Sequence, residues 1–251
     1  MATFDQYSEY YDLLYREKDY QAEALYIHEM IRKAHPNAHN LLELGCGTAK
    51  HAALLAERGY RITGLDRSET MLEAARNRIR GNEAIDLRQG DVSSFQLNKT
   101  FDVIISLFHV FSYLVETESL LSAFRCVEKH LNPNGIFIFD FWYGPGVMSD
   151  PPSVRVKRAE NERIKIWRLA EPVVETGANI VEVNYEVLVQ DVGSHKVEII
   201  REQHLMRYLF LPEIAHLLAS AGLKLVDSFE WMTSMPLSNK SWNAVVIVQK
   251  I

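Results

Sequence analysis

Cysteine is scarce: the chain holds only Cys46 and Cys126, far apart and outside any C-x-x-C pair. That argues against a disulfide framework and against a zinc knuckle. Basic runs are missing too, and the net charge of −6 argues against a surface built to neutralise nucleic-acid phosphates. No apolar run approaches the roughly 18 residues of a bilayer crossing. The opening Met1-Ala2-Thr3-Phe4-Asp5 lacks the basic start and apolar stretch of a secretory leader, so a cytoplasmic protein with no membrane partner is expected. The nine histidines form no metal set, because Pro36, Asn37 and Asn40 place His35 and His39 in a loop; no metal is expected. Internal repeats and low-complexity linkers are also lacking. What remains, 47% hydrophobic and 24% charged residues in a chain of 251, suits one large domain or a domain with an insertion.

The chain is organised around Leu41-Leu42-Glu43-Leu44-Gly45-Cys46-Gly47-Thr48-Ala49-Lys50-His51, an apolar strand running through two glycines into a helix-like run. Gly45 and Gly47 allow a sharp turn that lies against a ligand, although such a pair also serves a ligand-free strand-to-helix turn. Glu43, two residues earlier, places a carboxylate where a ligand ammonium can be met, and Cys46 reads as a small turn residue rather than a nucleophile. Asp66 ends the strand Arg61-Ile62-Thr63-Gly64-Leu65, about twenty residues on, where α/β nucleotide sites hold ribose hydroxyls. Asp91 stands at the mouth of the next strand, Ile85 to Gly90. A dinucleotide fingerprint needs a glycine at position 50, and the chain has Lys50, which disfavours a nicotinamide oxidoreductase.

Along the chain, Phe4, Tyr7, Tyr11 and Leu14 recur at helical spacing, and Tyr20 to Lys33 forms an amphipathic helix. Helices are expected from Lys50 to Arg58, from Ser68 to Arg76 and from Thr117 to Leu131, and buried strands at Phe101–Ser106 and Phe137–Phe141. The alternation predicts a mainly parallel sheet with helices on both faces and ligands at the carboxyl ends of its strands, which aligns Gly45, Asp66, Asp91 and Leu107 on one edge. After Asp150 the pattern becomes β-branched and partly alternating, with turns near residues 160–162 and 191–194, as antiparallel strands do. A helix from Leu211 to Ala221 and strands at Lys224–Trp231 and Asn243–Gln249 follow.

These motifs resemble the class I S-adenosylmethionine-dependent methyltransferases, whose first motif is commonly Glu/Asp-x-Gly-x-Gly-x-Gly; Ala49 stands in place of the third glycine. The resemblance implies a seven-stranded Rossmann-like core at 1–150 and 209–251, an aromatic helical lid within 1–35, and an inserted antiparallel cap or dimer face at 151–208. It implies that Gly45, Cys46, Gly47, Thr48 and Ala49 approach the methionine and ribose portions of S-adenosylmethionine. Asp66 would take the ribose hydroxyls, Arg67 and Met71 would flank the adenine, and Asp91 with Val92 would meet its amine. Tyr11, Tyr20, Leu107 and Phe108 are expected beside the cofactor, and Tyr7 beside the acceptor.

The acceptor is expected after the fourth strand, where His109 and Tyr113, four apart, share a face if the segment is helical. His109 and His204 are the candidate bases, although a histidine at either place also serves as a plain hydrogen-bond donor. Trp142 and Tyr143 form an aromatic wall for a sugar or nucleobase, or simply pack under the cap. Tyr10-Tyr11-Asp12, Lys18-Asp19-Tyr20, Phe141-Trp142-Tyr143 and the insertion before His204 are similar to the small bacterial enzymes that N-methylate nucleotide-linked amino sugars. That likeness implies methyl transfer to a small-molecule amine by a homodimer. An O-methyltransferase, a methyltransferase of another small amine, and a non-catalytic nucleotide-binding protein are the alternatives.

Overall fold

The computed structural model describes residues 8–251. Phe4 and Tyr7, the start of the expected aromatic face, lie outside them. Two short elements lead in: α1 (Ser8–Leu14) and α2 (Tyr20–Ala34), the latter capped by the Asp19 carboxylate, which accepts from Ala22 N at 2.9 Å. The core then alternates as expected. β1 (Asn40–Leu44), α3 (Lys50–Ala56), β2 (Arg61–Asp66), α4 (Glu69–Arg78), β3 (Ile85–Gln89) and β4 (Phe101–Ser106) follow in order. A four-residue 3₁₀ turn, Val110–Tyr113, precedes α5 (Thr117–His130) and β5 (Leu131–Trp142). A short helix not anticipated from sequence, α6 (Gly144–Ser149), leaves the core.

The insertion is β6 (Arg155–Glu160), β7 (Ile164–Glu175), β8 (Ile180–Asp191) and β9 (Val197–Arg207), paired antiparallel in that order as a separate sheet. The chain returns through α7 (Leu211–Ser220), β10 (Leu223–Glu230) and β11 (Asn243–Lys250). The main sheet has the order β10-β11-β5-β4-β1-β2-β3, with β11 antiparallel to its neighbours.

Burial on both faces explains the continuous apolar strands. In β5, Phe137, Phe139 and Phe141 pack towards Phe111, Phe124 and the other buried residues of α5 and α7, while Ile136 and Ile138 pack towards α2 and α3. Each such side chain removed from water contributes roughly 1.5–3 kcal/mol. The chain passes from β1 outward to β2 and β3, then jumps back to β4 on the other side of β1. That reversal opens a crevice above the carboxyl ends of β1 and β4, where Gly45 and Leu107 stand.

In the inserted sheet, alternation decides which side faces the core. Ile166, Val187, Val189 and Ile200 bury one face against Tyr10 and Leu14 of α1, and Val181, Val183 and Met206 bury its other end against Val147 of α6 and Tyr208. The N-terminal helix is thus held on the inserted sheet as well as over the core.

Candidate active site

At the end of β1 the backbone folds over so that Gly45 N and Cys46 N both donate to Leu65 O, at 2.7 and 3.0 Å. Gly45 has φ +71°, and a Cβ there would lie 2.5 Å from Val110 Cγ2. Gly47 has φ +52°, and a Cβ there meets no protein atom within 4 Å; it would stand in the cleft itself. Ala49 takes the left-handed conformation too, φ 58° and ψ 33°. An alanine pays roughly 1–2 kcal/mol for that, offset in part by its fully buried methyl group, worth about 0.8 kcal/mol.

Asp66 closes the loop from the side. Its Oδ2 accepts from Gly47 N at 2.8 Å and its Oδ1 from Ser68 N at 2.9 Å, so both oxygens are aimed before any ligand arrives. Burial raises its pKa, and the two backbone N–H groups work against that rise. Asp91 commits Oδ1 to Ser93 N and Oγ at 2.8 and 2.6 Å, leaving Oδ2 for the cleft. Ser68 caps α4 by accepting from Met71 N at 3.3 Å, which sets Met71 in the same wall.

The opposite wall follows β4. Phe108 and His109 are both left-handed, at φ 68° and 64°, a costly pair for residues with side chains. Asp140, buried at the end of β5, holds the turn: its Oδ1 accepts from His109 N at 3.1 Å, and its Oδ2 lies 2.8 Å from His109 Nδ1, out of line with a straight hydrogen bond. His109 therefore does not share a helical face with Tyr113, because its own backbone breaks the helix. Tyr113 Oη lies 2.9 Å from His204 Nδ1, and His204 Nε2 lies 2.9 Å from Glu202 Oε2. A carboxylate only accepts, so Nε2 carries a hydrogen; in the neutral imidazole Nδ1 is then the acceptor and Tyr113 the donor. Burial pushes the Tyr113 phenol well above its ordinary range, which keeps that proton in place.

These walls enclose one cavity of about 470 Å³ that runs from the glycine loop to the inserted sheet. The sequence model of a family described as a methyltransferase domain matches residues 41–135. A dTDP-3-amino-3,4,6-trideoxy-alpha-D-glucopyranose N,N-dimethyltransferase of Streptomyces venezuelae is 32% identical over 221 residues, covering 87% of this chain and 90% of the relative. This chain belongs to the S-adenosylmethionine-dependent methyltransferases. A dTDP-3-amino-3,6-dideoxy-alpha-D-glucopyranose N,N-dimethyltransferase of Streptomyces fradiae is 30% identical over 206 residues, with 78% of this chain and 79% of the relative covered. A solved S-adenosylmethionine-dependent methyltransferase from Clostridium acetobutylicum shares the fold, with TM-score 0.83, 22% identity and 98% of each chain covered.

The residues of the methyltransferase fit its cofactor, S-adenosylmethionine. The open glycine loop leaves room at Gly47, and Asp66 and Asp91 line the cavity with their remaining acceptor sites beside Arg67, Met71 and Val92. Tyr11, Tyr20, Cys46, Thr48, Leu107 and Phe108 line it as well, as do His109, Tyr113, Trp142 and His204. Three expected residues are off the wall. Ala49 is buried beneath the loop, Tyr143 packs against the core, and Glu43 is buried behind the turn, its Oε1 3.7 Å from His51 Nδ1. Burial, then the nearby Asp66 carboxylate, pushes the Glu43 pKa up to about 8.

Sequence reasoning missed Tyr15, His51, Arg155, Tyr185, Trp242 and Asn243, all on the cavity wall. Asn243 was findable: β11 is antiparallel, so its first residue, opposite Trp142, sits on the ligand edge where the parallel strands end. Glu202 carried a signal too, two residues before His204 on one strand and so on the same face.

Proposed function

We propose that this methyltransferase methylates the amine of a nucleotide-linked amino sugar, with the acceptor held between the core and the inserted sheet acting as its cap. The observation that carries the reading is the chain Tyr113–His204–Glu202, which joins the core's 3₁₀ turn to the cap at 2.9 Å per step. The relatives named for dTDP-amino sugars support the acceptor class. S-adenosylmethionine supplies a methyl group on positively charged sulfur, so the protein's work is to position the acceptor and exclude water.

An amine has a further need, because it arrives protonated and its lone pair must be freed. Tyr113 Oη accepts the ammonium proton while passing its own to His204 Nδ1, and Glu202 stabilises the resulting imidazolium. The phenol ends as it began, with one proton delivered to His204 for each methyl group accepted. His109, braced by Asp140, and Trp142 shape the wall opposite. Tyr11 and Tyr20 close the cofactor side from the N-terminal lid.

The outer face of the cap carries an apolar band, with Trp167, Leu188 and Ile199 opposite one another and Val156 and Val197 beside them. Ile199, Val197 and Val156 are 50%, 53% and 47% exposed. That band supports a homodimer through this face. The net charge of −6 supports a small-molecule partner rather than a nucleic acid, and two free thiols, Cys46 and Cys126, suit the cytoplasm.

Initial rates with a dTDP-linked amino sugar and with its hydroxyl counterpart test the reading. Methylation of the amine alone is the expected result; methylation of the hydroxyl sugar alone would replace it with an O-methyltransferase.

A further inference from the structure

The cap's inner face carries a row of residues that stand opposite one another across all four strands: Arg155, Ala170, Tyr185 and Glu202. Glu202 holds His204 at one end, Tyr185 lines the cavity in the middle, and Arg155 lines it at the other end. Three inter-strand spacings separate the backbones of Arg155 and Glu202 by about 14 Å. With side chains reaching inward from both ends, that width leaves room for about one sugar ring.

The Arg155 end is cationic. Lys157, two residues along β6 and on the same face, holds its ammonium 4.8 Å from the Tyr15 ring centroid. Arg168, from the adjacent row, donates to Tyr15 Oη at 3.0 Å and lies 4.9 Å from the Tyr185 ring centroid. The cap's ion pairs, Lys165–Glu160 and Arg201–Glu186, belong to its outer face by alternation. Among the described residues, no carboxylate pairs with Arg155 or Lys157. In a chain of net charge −6, the acids Asp66 and Asp91 line the cavity at the strand ends of the core, and Arg155 lines it from the inserted sheet. An anionic group on the acceptor is repelled from the first and drawn to the second.

We propose that Arg155, with Lys157 beside it, binds the diphosphate of a nucleoside-diphosphate-linked amino sugar and so presents the sugar's amine to Tyr113. The assignment rests on the acceptor class proposed above. A guanidinium suits the role because its planar fork meets phosphate oxygens two at a time. Arg155 is exposed on an edge strand, so its replacement leaves the packed cores untouched.

The test compares the wild type with Arg155→Ala, Arg155→Lys and Lys157→Ala. Three quantities are read: KM for a dTDP-linked amino sugar, the inhibition constant of free dTDP, and S-adenosylmethionine affinity by calorimetry as the check on folding. For Arg155→Ala, KM and the dTDP inhibition constant are expected to rise about ten-fold or more, as loss of a charged hydrogen-bonding partner requires, with cofactor affinity unchanged. Arg155→Lys is expected to recover part of the loss, and Lys157→Ala to show a smaller rise in both constants. If the wild type turns over the dTDP-linked sugar and all three variants keep its constants, the diphosphate site is wrong while the acceptor reading stands. If the wild type neither methylates the dTDP-linked sugar nor is inhibited by dTDP, the acceptor reading falls and takes this assignment with it.

Discussion

At the scale of a single residue, Asp66 is where the proposed cofactor contact is most directly tested. Two backbone N–H groups aim its carboxylate, so a ligand hydroxyl meets an acceptor that needs no reorganisation. Replacing it with alanine removes charge-assisted hydrogen bonds worth roughly 1.5–3 kcal/mol; calorimetry is expected to show S-adenosylmethionine affinity reduced about ten-fold or more. Glu43 makes a different prediction, about stability. Its carboxyl ordinarily titrates near 4.5, and burial together with Asp66 raises this to about 8 in the folded chain. Between those values the folded protein holds a proton that the unfolded chain has released, so stability falls as pH rises, by up to about 1.4 kcal/mol per pH unit. Glu43→Gln removes the effect. Its Tm is therefore expected to gain on the wild type's from about pH 5 to about pH 8 in cofactor-free protein; a gap independent of pH would contradict the assignment. Both residues were legible in the sequence, because an acid near a glycine turn or at a strand end is a local signal. Glu43's direction was not legible, since which side of the turn a β1 side chain enters depends on the helix packed behind it.

The elements that shape the cavity are held by a few polar contacts at their ends. Asp12 of α1 takes Thr48 Oγ1 at 3.0 Å, Lys50 Nζ at 3.0 Å, and the Arg78 guanidinium, so α1 is tied to the glycine loop, α3 and α4 together. Burial opposes ionisation of Asp12, but Arg78 and Lys50 hold its pKa below the usual range. The cluster is partly exposed, and screened pairs of this kind are worth about 1 kcal/mol or less. Asp12→Ala is accordingly expected to weaken cofactor binding by no more than about five-fold, chiefly through faster release in stopped-flow measurements. Lys50, which spoils a dinucleotide fingerprint, has its place in this latch. The β4–α5 turn is less forgiving. Asp140→Ala strips the buried partner from His109, the second of two consecutive left-handed residues, and a loss of roughly 1–3 kcal/mol is expected as a Tm lowered by several degrees. Apart from the short α6, helices and strands were read correctly because their periodicity is local. The sequence left open whether this turn was helical, because nothing in Leu107-Phe108-His109-Val110 announces positive φ; Asp140, more than thirty residues away, holds it.

For the whole molecule, the question is how two sheets make one site. The seven-stranded sheet was legible from alternating strands and helices, and the inserted sheet from its β-branched run and turns. Their mutual placement was not, because Arg155, Tyr185, Glu202 and His204 converge only once the register of four strands is set. The same alternation leaves Trp167, Leu188 and Ile199 on the outside. Leu188→Arg puts a charge into the centre of that band and is expected to turn a dimer into a monomer by sedimentation velocity, with the monomer still binding S-adenosylmethionine; a wild type that already sediments as a monomer would remove the dimer proposal. The account's central claim is that the methyl group goes to nitrogen at the junction of core and cap. Carbon-13 methyl-labelled S-adenosylmethionine, incubated with the protein and a dTDP-linked amino sugar, tests it by NMR of the product. The account predicts a labelled N-methyl signal on the sugar, lost or greatly slowed in Tyr113→Phe and His204→Gln proteins that still bind the cofactor. Label on a sugar oxygen, or an N-methyl product formed at the wild-type rate by both variants, would contradict it.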